Sequence, residues 1–301
     1  MEKVGFIGLG RMGRPMASNL RRKGFALTVT DINPQPVADL VALGATAAAD
    51  LEALVRSSDI LVTMLPSSTE VLAVVTGAGG VLEHARAGQV LLDMSTIEPE
   101  ATERMARAAA ARGVTVVDAP VGRLATHADR GESLFMVGAS EVDLERVRPL
   151  LDAMGTTVLH CGPVGAGVKM KLVNNYLAIV SCQMNGEALS LSQRFGLNLE
   201  KTLEVLNGTT AYNGQLQLNW PNKSLKGDIS PGFTIDLAHK DLSLILTAAN
   251  AARVPLALGA AAREALSIAR AGKYAGADFS AMGDVLCDLA GIEKARLRPK
   301  H

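Results

Sequence analysis

Three glycines close to the N-terminus constrain the fold of this chain more than any other feature. Gly8, Gly10 and Gly13 occur in the spacing G-x-G-x-x-G, directly after an apolar run and directly before a helical pattern. Glycines at these places let the chain turn tightly from a strand into a helix and let a pyrophosphate approach the backbone at the helix N-terminus. The spacing predicts a dinucleotide-binding α/β domain, with contacts from these glycines and from Arg11 and Met12 between them.

An acid ends the second predicted strand, L-T-V-T-D, at Asp31. In this place a carboxylate accepts hydrogen bonds from the ribose hydroxyls of the dinucleotide and repels a 2′-phosphate. The segment D-I-N-P-Q contains no arginine to receive such a phosphate. We therefore predict NAD as the cofactor rather than NADP. The alternative, in which the three glycines only form a tight turn, does not account for the acid.

The order of predicted elements divides the chain into two domains. Over the first 160 residues, strand-like runs alternate with helical patterns, at 3–8, 27–31, 60–65, 90–95, 114–119 and 134–138. This alternation is typical of an α/β fold with a parallel, doubly wound sheet. Strand-like runs then nearly vanish, and helical patterns cover roughly 165–194, 199–207, 236–252 and 258–271. We predict a Rossmann domain over 1–163 and an all-helical domain over 164–301, which begins with a long interdomain helix.

Three later strand ends are expected to face the same crevice as the glycine loop, because ligands gather at the C-terminal edge of such a sheet. They are M-L-P-S-S (64–68), D-M-S-T-I-E-P (93–99) and A-P-V-G-R (119–123). Leu65 and Pro66 are candidates to line the nicotinamide ribose, and Ser95 and Thr96 are candidates to hydrogen-bond the nicotinamide side. A serine and a threonine before I-E-P-E equally suit a helix cap, and the spacing alone leaves both interpretations open.

A helical pattern that begins near Ala166 places four residues on one face, at i, i+3, i+4 and i+7: Lys171, Asn174, Asn175 and Ala178. This face lies at the predicted domain boundary, where binding sites commonly form. A lysine there polarises a carbonyl and then protonates the forming alkoxide, and an asparagine holds it in position. The alternative is a solvated lysine on an amphipathic helix, and this segment alone does not decide between the two.

Composition disfavours several other classes of protein. Lys plus Arg equals Asp plus Glu, 30 each, so no net charge favours nucleic acid or an anionic membrane. One Trp, three Tyr and six Phe are too few for base-stacking platforms. Neither the three cysteines nor the five histidines have metal-ligand spacing, and we predict no metal site. The chain has no signal-peptide pattern and no apolar run near the ~20 residues of a membrane span, which predicts a cytoplasmic protein.

The assembled motifs resemble those of the β-hydroxyacid dehydrogenases, the family of 3-hydroxyisobutyrate dehydrogenase and tartronate semialdehyde reductase. The resemblance covers essentially the full length and rests, in order, on G-F-I-G-L-G-R-M-G-R-P-M-A-S-N-L, D-M-S-T-I-E-P-E, D-A-P-V-G-R, G-A-G-V-K-M-K-L-V-N-N and F-T-I-D-L-A-H-K-D-L-S-L. It implies Lys171 as the catalytic lysine, Asn174 and Asn175 as adjacent site amides, and Lys240 as a cofactor contact from the helical domain. It also implies a homodimer or homotetramer in which the second domain packs against a partner subunit.

Arg123 is the residue at which the chain departs most from that family. Family members carry a sequence like S-G-G after D-x-P-V, whereas here Gly122 is followed by Arg123. An arginine directs two donors at an anion, so together with the catalytic lysine it favours a small anionic aldehyde or hydroxy acid as substrate. P-V-G-R, W-P-N-K and G-D-I-S-P are most similar to members that reduce a sulfonated aldehyde. That similarity implies a substrate site of Gly122, Arg123, Asn174, Asn175 and Ala178.

Two departures from those members leave the anion open. Leu124 and Ala125 stand where they carry hydroxyl residues, and Ala178 replaces a serine. Succinic semialdehyde or another short acidic aldehyde therefore stays an alternative substrate. The alternative for Arg123 is a surface arginine in a loop.

Proteins of other classes remain to be weighed. A non-catalytic NAD-binding sensor fits the first domain but does not need Lys171, and imine-reducing relatives of the same fold typically lack that lysine. The alternative for Lys240 is a helix-surface charge paired with Asp236 or Asp241. The sequence contains neither G-x-S-x-G nor G-x-x-x-x-G-K-[ST], which disfavours a hydrolase or a kinase.

Overall fold

A computed structural model describes residues 2–297 of the 301-residue chain, so the predicted domain ends at residues 1 and 301 lie outside the described residues. Contacts within the chain group it into two compact units that divide between Lys171 and Leu172. The predicted domain boundary between residues 163 and 164 stays a prediction.

The first unit is built on one sheet. Its strands form from short apolar and β-branched runs, which suit extended chain buried on both sides. Within the described residues they are β1 (Val4–Ile7), β2 (Leu27–Thr30), β3 (Thr46–Ala47), β4 (Ile60–Thr63), β5 (Val90–Asp93), β6 (Thr115–Asp118), β7 (Val121–Gly122), β8 (Ser133–Gly138) and β9 (Gly155–Gly162). All six predicted strands are present. The pattern does not predict β3 and β7, which are two residues long, or β9, most of which is not buried.

The strand order is β3-β2-β1-β4-β5-β6-β8-β7, with β9 paired to β8. The strands from β3 to β6 in this order pair in parallel, as the alternating pattern predicts. From β1 the chain first builds the sheet toward β3 and then, with β4, toward the opposite edge. Such a reversal opens a crevice at the C-terminal ends of the two strands beside it. That crevice is where the predicted cofactor residues begin.

The sheet is mixed at the edge beyond β6 rather than parallel throughout. Strand β8 runs antiparallel to both β6 and β7, and β9 runs parallel to β8. Residues 119–132 join β6 to β8 and include β7. This connection contains the short helix α7 (Ala125–Asp129) and returns the chain antiparallel to β6.

Eight helices of the first unit connect these strands within the described residues. Several begin where the sequence supplies a cap, because the side chains of Asn33, Asp50, Ser67 and Ser140 each accept a backbone N–H in the first turn. The helices are α1 (Gly13–Arg22), α2 (Pro34–Ala42), α3 (Leu51–Ser57), α4 (Ser68–Thr76), α5 (Val81–His84), α6 (Pro99–Ala110), α7 (Ala125–Asp129) and α8 (Glu141–Met154).

The core of the first unit lies on both faces of the sheet. Along β4, Ile60 and Val62 belong to one apolar cluster, and Leu61 belongs to the other. This alternation follows the two-residue period of a strand, and both clusters are covered by helices. The strands of the sheet therefore offer polar side chains to a ligand mainly at their ends and in the loops that follow them.

The second unit is helical within the described residues, as predicted. Helix α9 (Ala166–Arg194) begins in the first unit and continues into the second, and α10 (Leu199–Asn207), α11 (Ile235–Ala251), α12 (Ala257–Arg270) and α13 (Met282–Ala290) follow. The four predicted helices agree with α9–α12 to within one residue at each end. The pattern does not predict α13 or the short π- and 3₁₀-helical turns at Gln215–Asn219, Trp220–Asn222, Ser224–Lys226 and Phe279–Ala281.

The core of the second unit surrounds Trp220, which is almost fully buried. Phe233 and Phe279 pack edge to face with ring centroids 5.2 Å apart, and the buried Asp278 carboxylate accepts the N–H groups of Gly232 and Phe233. These contacts fix the chain directly before α11. Among the helices of residues 2–297, none combines the length and apolarity that a bilayer crossing requires.

Candidate active site

The glycine loop between β1 and α1 has the geometry that a dinucleotide needs. Gly8 has φ of 96°, and a Cβ on it would lie 2.4 Å from the Met64 carbonyl oxygen. A Cβ on Gly13 would lie 2.0 Å from the Gly8 carbonyl oxygen, whereas a Cβ on Gly10 would meet no atom within 4 Å. The first and third glycines therefore close the turn, and the second leaves the backbone open to a pyrophosphate. The residues present fit the cofactor.

The N-terminus of α1 has no cap from its own side chains. Met12 occupies the N-cap position without a side-chain hydrogen bond and packs partly on the apolar core, and Arg11 is exposed. The first N–H groups of a helix lack intrahelical partners and carry the positive end of its dipole. This helix end is suited to receive the negative charge of a pyrophosphate.

Asp31 lies against the glycine loop, as its place after β2 predicts. Its Oδ2 accepts the N–H of Leu9 at 2.5 Å, and its Oδ1 accepts the N–H of Asn33 at 2.7 Å. The carboxylate thus both holds the loop and brings a negative charge to it. The half-buried side chain retains lone pairs for ribose hydroxyls.

Two of the predicted strand ends are joined by a hydrogen bond. The Ser95 hydroxyl accepts the N–H of Leu65 at 3.0 Å. Below it, Asp93 Oδ1 accepts the Ser95 N–H at 3.2 Å and the Thr63 hydroxyl at 2.8 Å. Burial raises the pKa of the Asp93 carboxyl. The structure therefore brings Leu65 and Ser95 together at the ends of β4 and β5.

The helix that follows Ser95 is not capped by the predicted serine and threonine. Helix α6 has Glu98 at its N-cap, without a side-chain cap hydrogen bond. Thr96 is half-buried, and Pro66 is exposed beside Leu65. The helix-cap interpretation of the Ser95–Thr96 pair is therefore wrong, and their contact with the nicotinamide side stays a prediction.

Gly122 and Arg123 lie at the turn from β7 toward α7. Gly122 is buried, and a Cβ on it would meet the side chains of Leu134 and Met136 at 3.2 Å. Arg123 is exposed and has φ of 71°, the left-handed region that glycine adopts more easily. Its guanidinium donates to the Glu132 carbonyl at 2.6 Å and contacts the hydroxyls of two threonines of β9, Thr156 at 2.9 Å and Thr157 at 3.2 Å.

The sequence interpretation missed Asp118, at the end of β6. This carboxylate is buried and accepts backbone N–H groups of Gly165 and Val168, at the start of α9. Burial raises its pKa to about 6. An acid at the end of an apolar strand was the available signal, in V-T-V-V-D, but its partners lie 47 and 50 residues further along the chain.

Helix α9 carries the predicted catalytic lysine and both asparagines without interruption. Lys171 and Ala178 are half-buried, Asn174 is exposed and Asn175 is buried. The neighbouring Lys169 is exposed and pairs with Glu103 at 3.0 Å. Lys169 therefore belongs to a surface ion pair, whereas the i, i+3, i+4, i+7 face from Lys171 contains one buried polar side chain, that of Asn175.

Within the second unit, a chain of polar contacts connects this face to Lys240. Asn174 Nδ2 donates to Asn175 Oδ1 at 3.0 Å, and Asn175 Nδ2 donates to Asp241 Oδ2 at 2.7 Å. Lys240 Nζ lies 2.9 Å from Asp241 Oδ1. The buried Asp241 carboxylate thus orients both an asparagine of α9 and the lysine of α11. Sequence reasoning named Asp241 only as a surface partner of Lys240, because the contact with Asn175 spans 66 residues.

No group of three or more His, Cys, Asp or Glu side chains suited to a metal ion occurs among residues 2–297. The three cysteines are free thiols. The candidate site residues described above include lysine, asparagine and arginine side chains. A bound nicotinamide supplies a hydride, and an ammonium group supplies a proton.

Two family models match almost the whole chain. Residues 3–162 match the NAD-binding domain of 6-phosphogluconate dehydrogenase, and residues 165–286 match the NAD-binding domain of NADP-dependent 3-hydroxyisobutyrate dehydrogenase. These matches confirm the predicted fold class and the predicted NAD cofactor.

Three similar proteins are oxidoreductases. The chain is 41% identical to 3-sulfolactaldehyde reductase of Escherichia coli, over 97% of this chain and 98% of that protein. It is 38% identical to 2-(hydroxymethyl)glutarate dehydrogenase of Eubacterium barkeri, over 96% of each chain. Among solved structures, 3-hydroxyisobutyrate dehydrogenase of Mycobacterium tuberculosis with L-serine superposes with a TM-score of 0.87 at 31% identity, over 95% of this chain and 99% of that chain.

These relatives are named for small hydroxy acid and aldehyde substrates, and each matches this chain over nearly its full length. The predicted resemblance and the predicted enzyme class are confirmed. The chain is an NAD-dependent oxidoreductase that belongs to the β-hydroxyacid dehydrogenase family, among the relatives of 3-hydroxyisobutyrate dehydrogenase.

Proposed function

We propose that this enzyme uses NADH to reduce a short anionic aldehyde to its alcohol, and that the aldehyde is 3-sulfolactaldehyde and the product 2,3-dihydroxypropane-1-sulfonate. Two facts support this substrate: the similarity to the reductase from Escherichia coli, and an arginine where the family carries a small residue. Lys171 is the general acid, and Arg123 binds the sulfonate. The observation that carries the proposal is the left-handed backbone conformation of Arg123.

Arg123 adopts a left-handed conformation that costs a side chain about 1–2 kcal/mol relative to glycine. Backbone strain of this kind persists only where the surrounding structure over-determines the conformation, and it clusters at active sites and ligand sites. The guanidinium has five donors in a planar fork. Here the fork contacts neutral oxygen atoms of Glu132, Thr156 and Thr157. A sulfonate offers charged acceptors, which form shorter and stronger hydrogen bonds and compete well for these donors.

Lys171 acts on the aldehyde oxygen. Its ammonium group is suited to polarise the carbonyl and to transfer a proton to the aldehyde oxygen, and NADH, when bound, would supply the hydride to the carbon. The reaction leaves NAD⁺, the alcohol and a neutral lysine, which regains its proton from water. The buried Asn175, oriented by Asp241, provides an amide on the same helix face to hold the substrate.

The preference for NAD over NADP rests on Asp31. Its carboxylate already accepts two backbone N–H groups beside the glycine loop. A 2′-phosphate at the adenosine ribose would face this negative charge at short range, whereas ribose hydroxyls would donate to it. Leu65, Pro66, Ser95, Thr96 and Lys240 complete the proposed cofactor contacts.

A carboxylate substrate such as succinic semialdehyde is the second candidate. It is supported by Leu124, Ala125 and Ala178, which lack the hydroxyls of the sulfonate-reducing members. The similarity to 2-(hydroxymethyl)glutarate dehydrogenase also supports a carboxylate-bearing substrate. Arginine binds carboxylates and sulfonates alike, so only a direct comparison of substrates separates the candidates.

The test compares NADH oxidation with sulfolactaldehyde and with succinic semialdehyde, in wild type and in Arg123→Ala. We expect wild type to prefer the sulfonate and Arg123→Ala to lose about 10–100-fold in kcat/KM for it, since charged hydrogen bonds contribute ~1.5–3 kcal/mol. Arg130→Ala is the matched control, because Arg130 is an exposed arginine of the same segment that pairs with Glu132. Equal loss in both variants, or better turnover of succinic semialdehyde by wild type, contradicts the sulfonate assignment.

A homodimer or homotetramer and a cytoplasmic location are also part of the proposal. Four apolar side chains of α9 in the second unit and Phe195, directly after the helix, are each more than half exposed; the four are Val173, Leu177, Met184 and Leu191. An apolar stripe of this length favours burial against a second copy. Light scattering during size-exclusion chromatography measures the assembly, and a monomer would contradict it. The free thiols agree with a reducing compartment.

A further inference from the structure

The start of helix α9 is held by a side chain from another element. Asp118 Oδ1 accepts the N–H of Gly165 at 2.6 Å, and Oδ2 accepts the N–H of Val168 at 2.8 Å. Asp118 ends strand β6 and is 1% exposed. Both of its oxygen atoms are therefore committed to backbone N–H groups at one helix terminus.

Three glycines make room for this carboxylate. A Cβ on Gly138 would lie 2.3 Å from Asp118 Oδ1, and a Cβ on Gly167 would lie 2.9 Å from Oδ2 and 2.2 Å from the Met136 carbonyl oxygen. Gly165 has φ of 90°, a conformation that other residues adopt at a cost. The backbone around Asp118 is built to bring the helix end onto the acid.

The glycines also explain why the acid must come from elsewhere. Helix α9 begins at Ala166, and the preceding Gly165 has no side chain to accept an N–H of the first turn. Those N–H groups need partners, and a negative charge beside them is stabilised by the helix dipole. Asp118 supplies both in place of a local N-cap.

We propose that Asp118 is a positioning residue for Lys171, because it fixes the first turn of the helix that carries the lysine. The inference rests on the proposed role of Lys171 as general acid. Val168 and Lys171 are less than one helical turn apart, with a rise of about 4.5 Å between them. Any tilt or fraying of the first turn therefore moves the lysine directly.

The charge state of Asp118 adds a second readout. The pKa of this carboxyl is raised to about 6, chiefly by burial and in smaller part by the negative charge of Asp93 on β5. The Asp118 charge in turn raises the pKa of the Cys161 thiol on β9, for which burial is the larger cause. Protonation removes the charge that the helix terminus stabilises and turns one acceptor oxygen into a hydroxyl.

The experiment compares Asp118→Asn with Asp50→Asn. Asp50 caps α3 through the N–H of Ala53 at 2.7 Å, a similar hydrogen bond on a helix that carries no proposed site residue. For each protein, kcat and KM are measured with NADH and sulfolactaldehyde, or succinic semialdehyde if wild type prefers it, from pH 5 to 8. Hydrogen exchange of the 163–171 segment and NADH affinity are measured on the same samples.

We expect Asp118→Asn to lose about 10–100-fold in kcat, as a small misplacement of a catalytic group does, with NADH affinity retained and faster exchange at 163–171. Asp50→Asn should lose none of the kcat. The wild-type kcat should fall at acid pH through a group near 6, and this fall should be absent in Asp118→Asn. An Asp118→Asn enzyme with the kcat of Asp50→Asn overturns the inference.

Two further results distinguish failure of the inference from misfolding of the variant and from failure of the proposed function. If Asp118→Asn does not fold, the wild-type pH profile decides, and a kcat that is flat from pH 5 to 8 overturns the inference. Lys171→Ala is assayed in parallel. Retained turnover in Lys171→Ala contradicts the lysine mechanism itself, whereas its collapse beside a fully active Asp118→Asn contradicts only the positioning role.

Discussion

Helices α1 and α9 both follow glycine-rich turns but have opposite environments at their N-termini. At α1 the cap position is Met12, with no side-chain hydrogen bond, and Gly10 faces open space. At α9 the buried Asp118 carboxylate occupies the helix terminus. The open terminus is suited to an external anion, and the closed one cannot receive it. A helix N-terminus after glycines is therefore a binding site only where the fold leaves it unfilled.

The difference matches the two roles that we propose for these helix termini, cofactor binding at α1 and support of Lys171 at α9. The α1 terminus binds a cofactor that comes and goes, so its N–H groups must be accessible. The α9 terminus supports a proposed catalytic lysine, which needs a fixed direction, so its N–H groups are satisfied internally. Each of the following experiments tests one side of this contrast.

Replacement of Lys171 by Ala should have the largest effect. We expect kcat to fall by roughly 10²–10⁴-fold, the usual contribution of a general acid, while NADH binding is retained because the α1 terminus is unchanged. Single-turnover kinetics measures the rate of the reaction, and NADH fluorescence titration measures cofactor binding. Lys169→Ala is the control, since Lys169 forms a surface pair with Glu103. A Lys171→Ala enzyme that loses NADH binding would show that the two helix ends are not functionally separate.

Ionisation of Asp118, at the closed terminus of α9, should lower the free energy of unfolding as the pH rises. The pKa of Asp118 in the folded protein, about 6, is above its ordinary value of 3.8, so the folded state binds the proton more tightly than the unfolded chain does. The stability from this group is fully present below pH 3.8 and is lost as the pH rises through 6. Relative to Asp118→Asn, wild type should lose about 3 kcal/mol in free energy of unfolding between pH 3.8 and 7, by urea denaturation. Parallel pH curves for the two proteins would argue against this.

The open terminus should respond differently to two glycine substitutions. Gly10→Ala should weaken NADH binding about tenfold without lowering the melting temperature of the protein alone, because its Cβ meets no atom in the loop. Gly13→Ala should lower the melting temperature as well, because its Cβ would lie 2.0 Å from the Gly8 carbonyl oxygen. Thermal unfolding with and without NADH separates the two effects. Equal melting temperatures for the two variants would mean that Gly13 does not close the turn.

Much of the fold was predictable because its signals are local. The six apolar runs and the four long helical patterns depend on residues a few positions apart, and they agree with the strands and helices observed. The antiparallel return of β8 was not predictable from such patterns. An apolar run such as Ser133–Gly138 reads the same for a parallel or an antiparallel strand. Its orientation is set by the pairing with β6 and β7.

The same distinction separates the parts of the candidate site. The glycine loop, Asp31 and the Lys171 face each lie within one motif, so sequence spacing predicts them. Asp118 and Asp241 act on residues 47–66 positions away along the chain. Nothing in the sequence near either acid indicates which partner it will meet.

The class of fold, the cofactor and the family follow from the amino-acid sequence, because each depends on short motifs whose chemistry is contained in a few adjacent residues. Tertiary packing sets which helix terminus stays open, which acid becomes buried, and which asparagine is held by a carboxylate. Those outcomes depend on desolvation and on pairings between distant segments. Folding creates both, and neither has a signature in local sequence.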